Sequence, residues 1–210
     1  MSWLGHDGFR IRDGKVIYID PFKIAGGGPK ADIVLVSHEH FDHCNVDDLK
    51  KIVTAETVIV AHSQSKGELS KLKLKEIKIV KPGDKINIGD ITVEAVPAYN
   101  INKFSEPGKV FHPKEDGKVG FVLTLNGVRI YHAGDTDHIP EMKSIRTDIA
   151  LIPVSGTYVM TAKEAAEAVG DINPKLAIPM HYGAIVGGTS DAETFKGLVK
   201  CEVKILEKER

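Results

Sequence analysis

Short apolar runs separated by turn residues fill most of the first 135 positions of the chain. The segments "FRIR" and "KVIYI" lie on either side of "DG", and "VGFVLTL" and "VRIYHAG" are joined by "NG". Both dipeptides are typical of tight turns between antiparallel strands. The run "DIVLV" is apolar at four consecutive positions, as in a strand that is buried on both faces. The same reasoning predicts strands at "TVIVA", "IKIV", "KINIG", "ITVEAV", "IALIPV" and "LAIPMH".

Helical signals are fewer. The segment "NVDDLKKIV" begins with Asn45, a good N-cap, and has acidic residues in its first turn. The segment "TAKEAAEAV" carries the T-x-x-E pattern of a capping box from Thr161 to Glu164. A last helix is predicted at "DAETFKGLVK". Helical spacing is also seen at the apolar positions Ala162, Ala165, Ala166 and Val169.

The order of these elements predicts an α/β fold. A strand-rich first part is followed by strands that alternate with helices, which favours two packed sheets with helices outside them. The 210 residues are enough for one sizeable domain and few for two, so we predict a single domain over residues 1–210. Residues 26–30 and 100–118 hold Gly, Pro and charge without apolar periodicity and are predicted to be mobile loops.

Composition excludes several classes of protein. Hydrophobic residues make up 42% and charged residues 27%, and the net charge of −1 gives no general attraction to nucleic acid. The lysine-rich segment "KGELSKLKLKEIKIVK" contains glutamates and is interpreted as a solvated surface. Two cysteines, no apolar run of membrane-spanning length and a charged N-terminal segment predict a cytoplasmic protein with a small-molecule substrate. The sequence leaves open whether the protein forms a homo-oligomer.

The stretch "VSHEHFDHCN" concentrates candidate metal ligands directly after a buried strand. Imidazole and carboxylate groups suit zinc and similar divalent metals. His38 and His40 are two positions apart and point the same way in an extended backbone, whereas Asp42 and His43 are adjacent and point differently. The cluster therefore suits two neighbouring metals better than one. Cys44 follows the cluster and is interpreted as a small buried residue.

Two later turns supply further candidates. "YHAGDTD" follows a predicted strand and places Asp135 in a turn flanked by glycine, where a carboxylate can approach an ion closely. "IPMHYG" places His181 in the same way after another strand. Each turn alone is weak evidence, but their order after the histidine cluster makes a specific signature.

The series "WLGH", "DPF", "SHEHFDH", "GDT" and "PMHYG" resembles the metallo-β-lactamase superfamily along nearly the whole chain. It is most similar to the branch of intracellular metal-dependent hydrolases that includes ascorbate-6-phosphate lactonases and, more distantly, N-acylphosphatidylethanolamine phospholipases D. The resemblance implies a four-layer αββα sandwich and one or two zinc ions, with Mn²⁺ and Fe²⁺ as alternatives. The implied ligands are His38 and His40 for metal 1, Asp42, His43 and His181 for metal 2, and Asp135 as a bridge.

One feature departs from the family pattern. The family usually gives metal 1 a third histidine at the end of a strand, and here Asn100 stands in that place. An amide oxygen is a weaker zinc ligand than imidazole. The replacement ligand is predicted in the order His112, Asn100 and His132, followed by water. The resemblance also implies supporting roles beside the site for His6 and Asp20, and His132 is a further candidate for such a role. A turn position before Pro21 is the alternative for Asp20, and a hydrogen bond within the core is the alternative for His6.

These features predict a hydrolase in which a metal-bound hydroxide attacks an ester, lactone or phosphoester bond of a small metabolite. Asp42 and Asp135 are the candidate catalytic residues. A phosphodiesterase or nuclease of the same fold and an iron-dependent redox protein of dioxygenase type are the alternatives. Proximity to the motifs suggests four substrate-binding residues: Tyr99, Lys103, Tyr158 and Tyr182.

Overall fold

The computed structural model describes residues 1–209 and divides the chain into two compact units. Unit 1 comprises Met1–Val80 and a C-terminal piece that begins at Leu206, and unit 2 comprises Lys81–Ile205. The single domain over residues 1–210 stays a prediction.

Unit 1 is built on a six-stranded sheet with its strands in sequence order. The first three strands are antiparallel to one another, and strands three to six are parallel. The predicted hairpin at "DG" is confirmed, because strands two and three pair on either side of Gly14. The strands are β1 (Ser2–Gly5), β2 (Gly8–Asp13), β3 (Lys15–Ile19), β4 (Ile33–Val36), β5 (Val58–His62) and β6 (Glu76–Val80).

Two short helices connect the parallel strands of unit 1. Helix α1 (Val46–Ile52) begins after Asn45, whose side-chain oxygen accepts a hydrogen bond from the backbone N–H of Asp48, so the predicted N-cap is confirmed. Helix α2 (Lys66–Leu69) is a single turn within the lysine-rich segment. Apolar residues of the sheet and both helices form one buried cluster: Leu4, Tyr18, Ile24, Ala31, Val34, Val36, Cys44, Leu49, Ile52, Ile59, Ala61 and Leu69.

Unit 2 contains a seven-stranded sheet. Its antiparallel half holds the predicted "NG" hairpin, which is confirmed, and its other half is parallel. The order across the sheet is β15-β14-β13-β12-β11-β8-β7. These strands are β7 (Lys85–Ile88), β8 (Ile91–Pro97), β11 (Val119–Leu125), β12 (Val128–His132), β13 (Ile149–Pro153), β14 (Leu176–Met180) and β15 (Glu202–Val203). A separate ribbon of β9 (Phe104–Glu106) and β10 (Lys109–Val110) lies in the segment that was expected to be only loop.

The helices of unit 2 follow two of its parallel strands. Helix α3 (Ala162–Ile172) begins after Thr161 with the predicted capping box. Helix α4 (Thr189–Leu198) begins two residues before the predicted segment, because the Asp191 carboxylate accepts a hydrogen bond from the backbone N–H of Gly188. None of the helices within residues 1–209 combines the length and the apolar character needed to cross a membrane.

The parallel half of each sheet brings polar residues together where its strands end. In unit 1 the pairing of Ile19 with Leu35 sets the residues after β3 beside those after β4. In unit 2 the pairing of Pro153 with Met180 does the same for the residues after β13 and β14. Ligands commonly bind at this edge of α/β sheets, so both units have a suitable place for a site.

Gly120 permits a close approach beside the turn that carries Asp135. A Cβ atom on Gly120 would lie 2.6 Å from the carbonyl oxygen of Ala133 and 2.7 Å from that of His132. Such distances are too short for carbon and oxygen, so any side chain there would push β11 away from the end of β12.

Candidate metal centre

His43 and Asp20 form a buried pair in unit 1. The Nδ1 atom of His43 lies 2.8 Å from Oδ2 of Asp20, and both side chains are fully buried. An ionised carboxylate can only accept, so Nδ1 of His43 donates and Nε2 of a neutral ring keeps its lone pair. A carboxylate that fixes a histidine in this way is the usual outer partner of a metal ligand.

Ser37 fixes His38 through the same carboxylate. The hydroxyl group of Ser37 donates to Asp20 Oδ2 at 2.5 Å, so its oxygen accepts from Nδ1 of His38 at 3.0 Å. This leaves the lone pair of His38 on Nε2, which lies 3.1 Å from Nδ1 of His40. Two ring nitrogens at this distance can bind the same ion, because two atoms at tetrahedral positions on one zinc lie about 3.4 Å apart.

Asp42 and Asp7 give unit 1 two further carboxylates. Oδ2 of Asp42 lies 3.0 Å from Nε2 of His6 and 3.7 Å from Nε2 of His43. Oδ2 of Asp7 lies 3.4 Å and 3.8 Å from the same two atoms. Sequence reasoning missed Asp7. Its signal is an acid next to a histidine in an otherwise apolar segment, "WLGHDGF".

His181 and Asp135 are neighbours in unit 2. The hydroxyl oxygen of Ser155 lies 2.9 Å from Nδ1 of His181, and the hydroxyl hydrogen points to the carbonyl oxygen of Thr157 at 3.3 Å. Nδ1 of His181 is therefore the donor, and the lone pair is on Nε2. That nitrogen lies 3.5 Å from Oδ2 of Asp135, a distance that two ligands of one ion can have.

The ring of His112 also donates from Nδ1 to an outer oxygen and has its Nε2 near Asp135, and its outer partner is Asn100. The amide oxygen of Asn100 accepts from the backbone N–H of His112 at 3.0 Å and from its Nδ1 at 2.8 Å. The amide nitrogen of Asn100 donates to the carbonyl oxygen of Tyr158 at 2.9 Å, which fixes the orientation of the amide. Nε2 of His112 lies 3.7 Å from Oδ2 of Asp135.

His132 differs from these four histidines. Its Nδ1 accepts a long hydrogen bond of 3.3 Å from the backbone N–H of Gly134, and the ring is fully buried. Nδ1 is therefore the acceptor, and Nε2 of the neutral ring carries the proton. This tautomer is opposite to that of His112.

Several of the candidate residues have a strained backbone. His6, Asp20 and His181 have φ values of +53°, +42° and +59°, in the left-handed region that residues other than glycine seldom adopt. Such conformations cost of order 1–3 kcal/mol each and are concentrated at functional sites. Tyr158, with φ of +67°, is in the same class.

The donor set fits a divalent metal such as zinc. His38, His43, His112 and His181 each have Nδ1 held by an outer oxygen and the lone pair on Nε2. In His43, His112 and His181 that Nε2 atom also lies 3.5–3.8 Å from carboxylate oxygen. Imidazole with carboxylate is a ligand set for zinc, manganese or iron and lacks the thiolates of purely structural zinc sites.

The four predicted substrate-binding residues have different surroundings. Tyr99 is buried and donates to Glu141 Oε2 at 2.9 Å, and the ammonium group of Lys103 lies between Glu164 and Asp137. Tyr182 is only 2% exposed, and burial raises its pKa to about 12. Tyr158 is 36% exposed, and its ring packs edge to face on Phe111 at 4.7 Å.

Cys44 has no sign of nucleophilic chemistry. The side chain is buried in the apolar cluster of unit 1, and burial raises the pKa of its thiol to about 12. Its thiolate form is therefore scarce near neutral pH, in agreement with the predicted role as a small buried residue.

Comparison with known proteins identifies the class. The model of the β-lactamase superfamily domain matches residues 1–181. A UPF0173 metal-dependent hydrolase of Methanoculleus marisnigri is 34% identical over 95% of this chain and 88% of its own length. Another, from Thermoplasma acidophilum, is 35% identical over 93% and 88%. The solved structure of a Parabacteroides distasonis protein, proposed to be a metal-dependent hydrolase, superposes with a TM-score of 0.84 at 35% identity, covering 99% of this chain and 92% of that one.

The chain therefore belongs to the β-lactamase superfamily, among the UPF0173 metal-dependent hydrolases. The predicted fold class, α/β of the metallo-β-lactamase type, is confirmed. The predicted metal-dependent hydrolase is confirmed at the level of the family.

Proposed function

We propose that the protein is a hydrolase with two metal ions that cleaves an ester, lactone or phosphoester bond of a small metabolite. The observation that carries the proposal is the tautomer shared by the rings of His38, His43, His112 and His181. Each keeps its Nδ1 hydrogen on an outer oxygen and its lone pair on Nε2. This is the arrangement of metal-binding histidines, in which an outer oxygen holds one ring nitrogen and the other nitrogen binds the ion.

The ligand assignment combines the family pattern with these tautomers. His38 and His40 would hold metal 1, Asp42, His43 and His181 would hold metal 2, and Asp135 would bind both. Zinc is the proposed metal, with Mn²⁺ and Fe²⁺ as alternatives. Asp7 is an additional carboxylate beside His43 that the family motifs did not indicate.

His112 is the proposed third ligand of metal 1. The amide oxygen of Asn100 already accepts two hydrogen bonds from His112, so Asn100 serves as the orienting partner. His132 carries the opposite tautomer and is the weakest candidate. This choice agrees with the order predicted from the sequence.

Bound divalent ions would lower the pKa of a coordinated water and polarise the carbonyl or phosphoryl group under attack. Asp42 would orient the attacking water with one carboxylate oxygen, and His6, whose Nε2 lies 3.0 Å from Asp42 Oδ2, would hold that side chain in place. Asp20 and Ser155 keep His43 and His181 in the tautomer that binds metal. No serine or cysteine nucleophile is needed, and the high pKa of the Cys44 thiol agrees with this.

The proposed substrate class is a phosphorylated or acidic lactone or ester. The resemblance to ascorbate-6-phosphate lactonases supports this class. Of the four predicted substrate residues, Tyr158 is best suited to touch a substrate because its ring is partly exposed, and its carbonyl oxygen is linked to His112 through Asn100. Lys103 is held by carboxylates and is better suited to fixing its loop.

The test is metal analysis of the purified protein together with an activity panel of lactones, acyl esters and bis-p-nitrophenyl phosphate. We expect up to two equivalents of metal per chain and hydrolysis of at least one substrate class. A chelator should abolish this activity, and added zinc should restore it. Iron in the purified protein together with oxygen consumption would contradict the proposal.

A matched control is His138→Ala. His138 also belongs to unit 2 and is not one of the proposed ligands, and its Nε2 lies 2.8 Å from Oδ2 of Asp171. This variant should keep the metal content and activity of the unmodified protein. His181→Ala should lose both.

A further inference from the structure

Unit 1 contains a small cavity that none of the proposed metal ligands lines. Its volume is about 170 Å³, several times the share of about 30 Å³ that one water molecule takes in the liquid. Strands β1 to β3, a glycine-rich loop and the C-terminal piece form its walls. The residues that matter for its chemistry are Arg10, Lys23, Gly26–Gly28, Lys208 and Glu209.

Arg10 is the main polar group of the cavity. It lies on β2, is only 9% exposed and pairs across the sheet with Tyr18. One nitrogen of its guanidinium group, Nη2, donates to Oε2 of Glu209 at 2.5 Å. Its Nε–H is buried, and no acceptor for it exists among residues 1–209. A buried cationic donor without an acceptor is costly, so an oxygen atom of a ligand would stabilise it.

The charge of the lining favours an anion. Three cationic side chains, those of Arg10, Lys23 and Lys208, face one carboxylate, that of Glu209, so the lining has a net charge of +2. Burial works against the charge of Arg10, but the nearby Tyr18 hydroxyl and Glu209 carboxylate hold its pKa above the ordinary value. Arg10 is therefore charged at every physiological pH.

The glycine-rich loop lets the backbone lie close to the guanidinium group. A Cβ atom on Gly28 would lie 3.5 Å from Nη1 of Arg10 and 3.2 Å from the hydroxyl oxygen of Tyr18. Gly27 has φ of +86°, and Cβ atoms on Gly26 and Gly27 would meet open space. Backbone N–H groups in such turns often line anion sites, because no side chain covers them.

We propose that this cavity binds a phosphate group, with the guanidinium of Arg10 as its anchor and the backbone of Gly26–Gly28 as its opposite wall. Phosphate matches the planar fork of guanidinium in geometry, and its dianion matches the net charge of +2. The lysines at positions 23 and 208 add charge at the exposed rim. The site is independent of hydrolysis at the metal centre.

The test is a titration of the full-length, zinc-loaded protein with inorganic phosphate, followed by ¹H–¹⁵N NMR at constant ionic strength. We expect saturable shifts of the amides of Gly26–Gly28 and of the Nε–H signal of Arg10. Methyl phosphate in a second titration separates two sources of the group. Tighter binding of methyl phosphate indicates a phosphorylated metabolite, and equal or weaker binding indicates free phosphate.

Three variants test the role of Arg10 in phosphate binding. Arg10→Met should weaken phosphate binding at least tenfold. Lys15→Met, which removes one positive charge from an exposed position at the start of the neighbouring strand β3, should change it less than twofold. Glu209→Gln should tighten it, because a competing carboxylate is lost. If Arg10→Met fails to fold, the double variant Lys23→Met with Lys208→Met should still weaken binding severalfold.

Four results would overturn the proposal. They are shifts that spare Gly26–Gly28, equal losses in Arg10→Met and Lys15→Met, weaker binding by Glu209→Gln, and acetate binding tighter than phosphate. Because shifts are assigned residue by residue, phosphate bound at the metal ligands is recognised separately and does not imitate the expected result.

Discussion

The two units supply their candidate ligands in different ways. In unit 1 the candidate ligands His38, His40, Asp42 and His43 lie in a six-residue span that follows β4, and a single carboxylate, that of Asp20, fixes two of the rings through direct and Ser37-mediated contacts. In unit 2 the candidate ligands come from three separate loops, and each candidate ring has its own neutral outer partner.

This difference bears on how each set is kept in place. The unit 1 set depends on local chain geometry and on one buried anionic group. The unit 2 set depends on contacts between loops far apart in sequence, such as Asn100 with His112 and Ser155 with His181. We therefore expect loss of an outer partner to be more costly in unit 1, whereas loss of loop contacts matters only in unit 2.

The largest effect is expected from Asp135→Ala. As the proposed bridge, Asp135 serves both metals, so this change should remove most of both equivalents and lower hydrolysis by more than about 100-fold, beyond the usual loss for an outer partner. His43→Ala should remove metal 2 preferentially. Metal content, measured by mass spectrometry, and kcat/KM are compared between the Asp135→Ala and His43→Ala variants. Equal stoichiometry in the two variants would argue against the bridging role.

Outer partners give the next largest effect. Asp20→Asn should lower metal affinity by about 10- to 100-fold, because His43 loses the anionic acceptor that fixes its tautomer. Ser155→Ala should have a smaller effect, because a neutral hydroxyl is the weaker acceptor. Competition with a fluorescent chelator measures both affinities. If Ser155→Ala is as damaging as Asp20→Asn, the two units do not differ in this respect.

The sequence predicts local features well and contacts between distant loops poorly. The hairpin at Gly14, the Asn45 cap and the Thr161 capping box each depend on a few adjacent residues and were correct. The contact of Asn100 with His112 requires a loop to return on itself, and periodicity carries no signal for that. Asp7 was missed because a buried acid is unusual in an apolar segment, and only its neighbours in space explain it.

Asn100→Ala should have a moderate effect that is confined to metal 1. His112 would lose the acceptor for its Nδ1 hydrogen, and its ring would turn more freely, so we expect about a tenfold weaker metal 1 site. Asn100→Asp restores an acceptor and should recover part of the affinity. Metal 2 should be unaffected in both variants. His112→Ala should weaken metal 1 more than Asn100→Ala, because it removes the proposed ligand and not its outer partner. A larger loss in Asn100→Ala would indicate that Asn100 binds the metal directly.

The smallest effect is expected from Glu164→Gln, which loosens the loop before His112. Although burial raises it, hydrogen bonds from Lys103, the backbone of Thr161 and Asn102 lower the pKa of Glu164 from 4.5 to about 2. The lowered pKa means that its stabilisation is fully present above pH 4.5 and is lost as the pH falls toward 2. Because the ion pair of Glu164 with Lys103 is partly exposed, we expect Glu164→Gln to lower the free energy of unfolding by about 1 kcal/mol at pH 7.

Denaturant unfolding of Glu164→Gln and the unmodified protein at pH 7 and pH 3 measures this difference. It should shrink at pH 3, because the carboxyl group of the unfolded chain takes up a proton below pH 4.5 while the folded carboxylate stays mostly ionised. Glu167→Gln, at an exposed position on the same helix, is the matched control and should change stability by less than half as much at both pH values. A pH-independent difference would mean that Glu164 acts through the capping geometry alone, and the loop before His112 would then not depend on its charge.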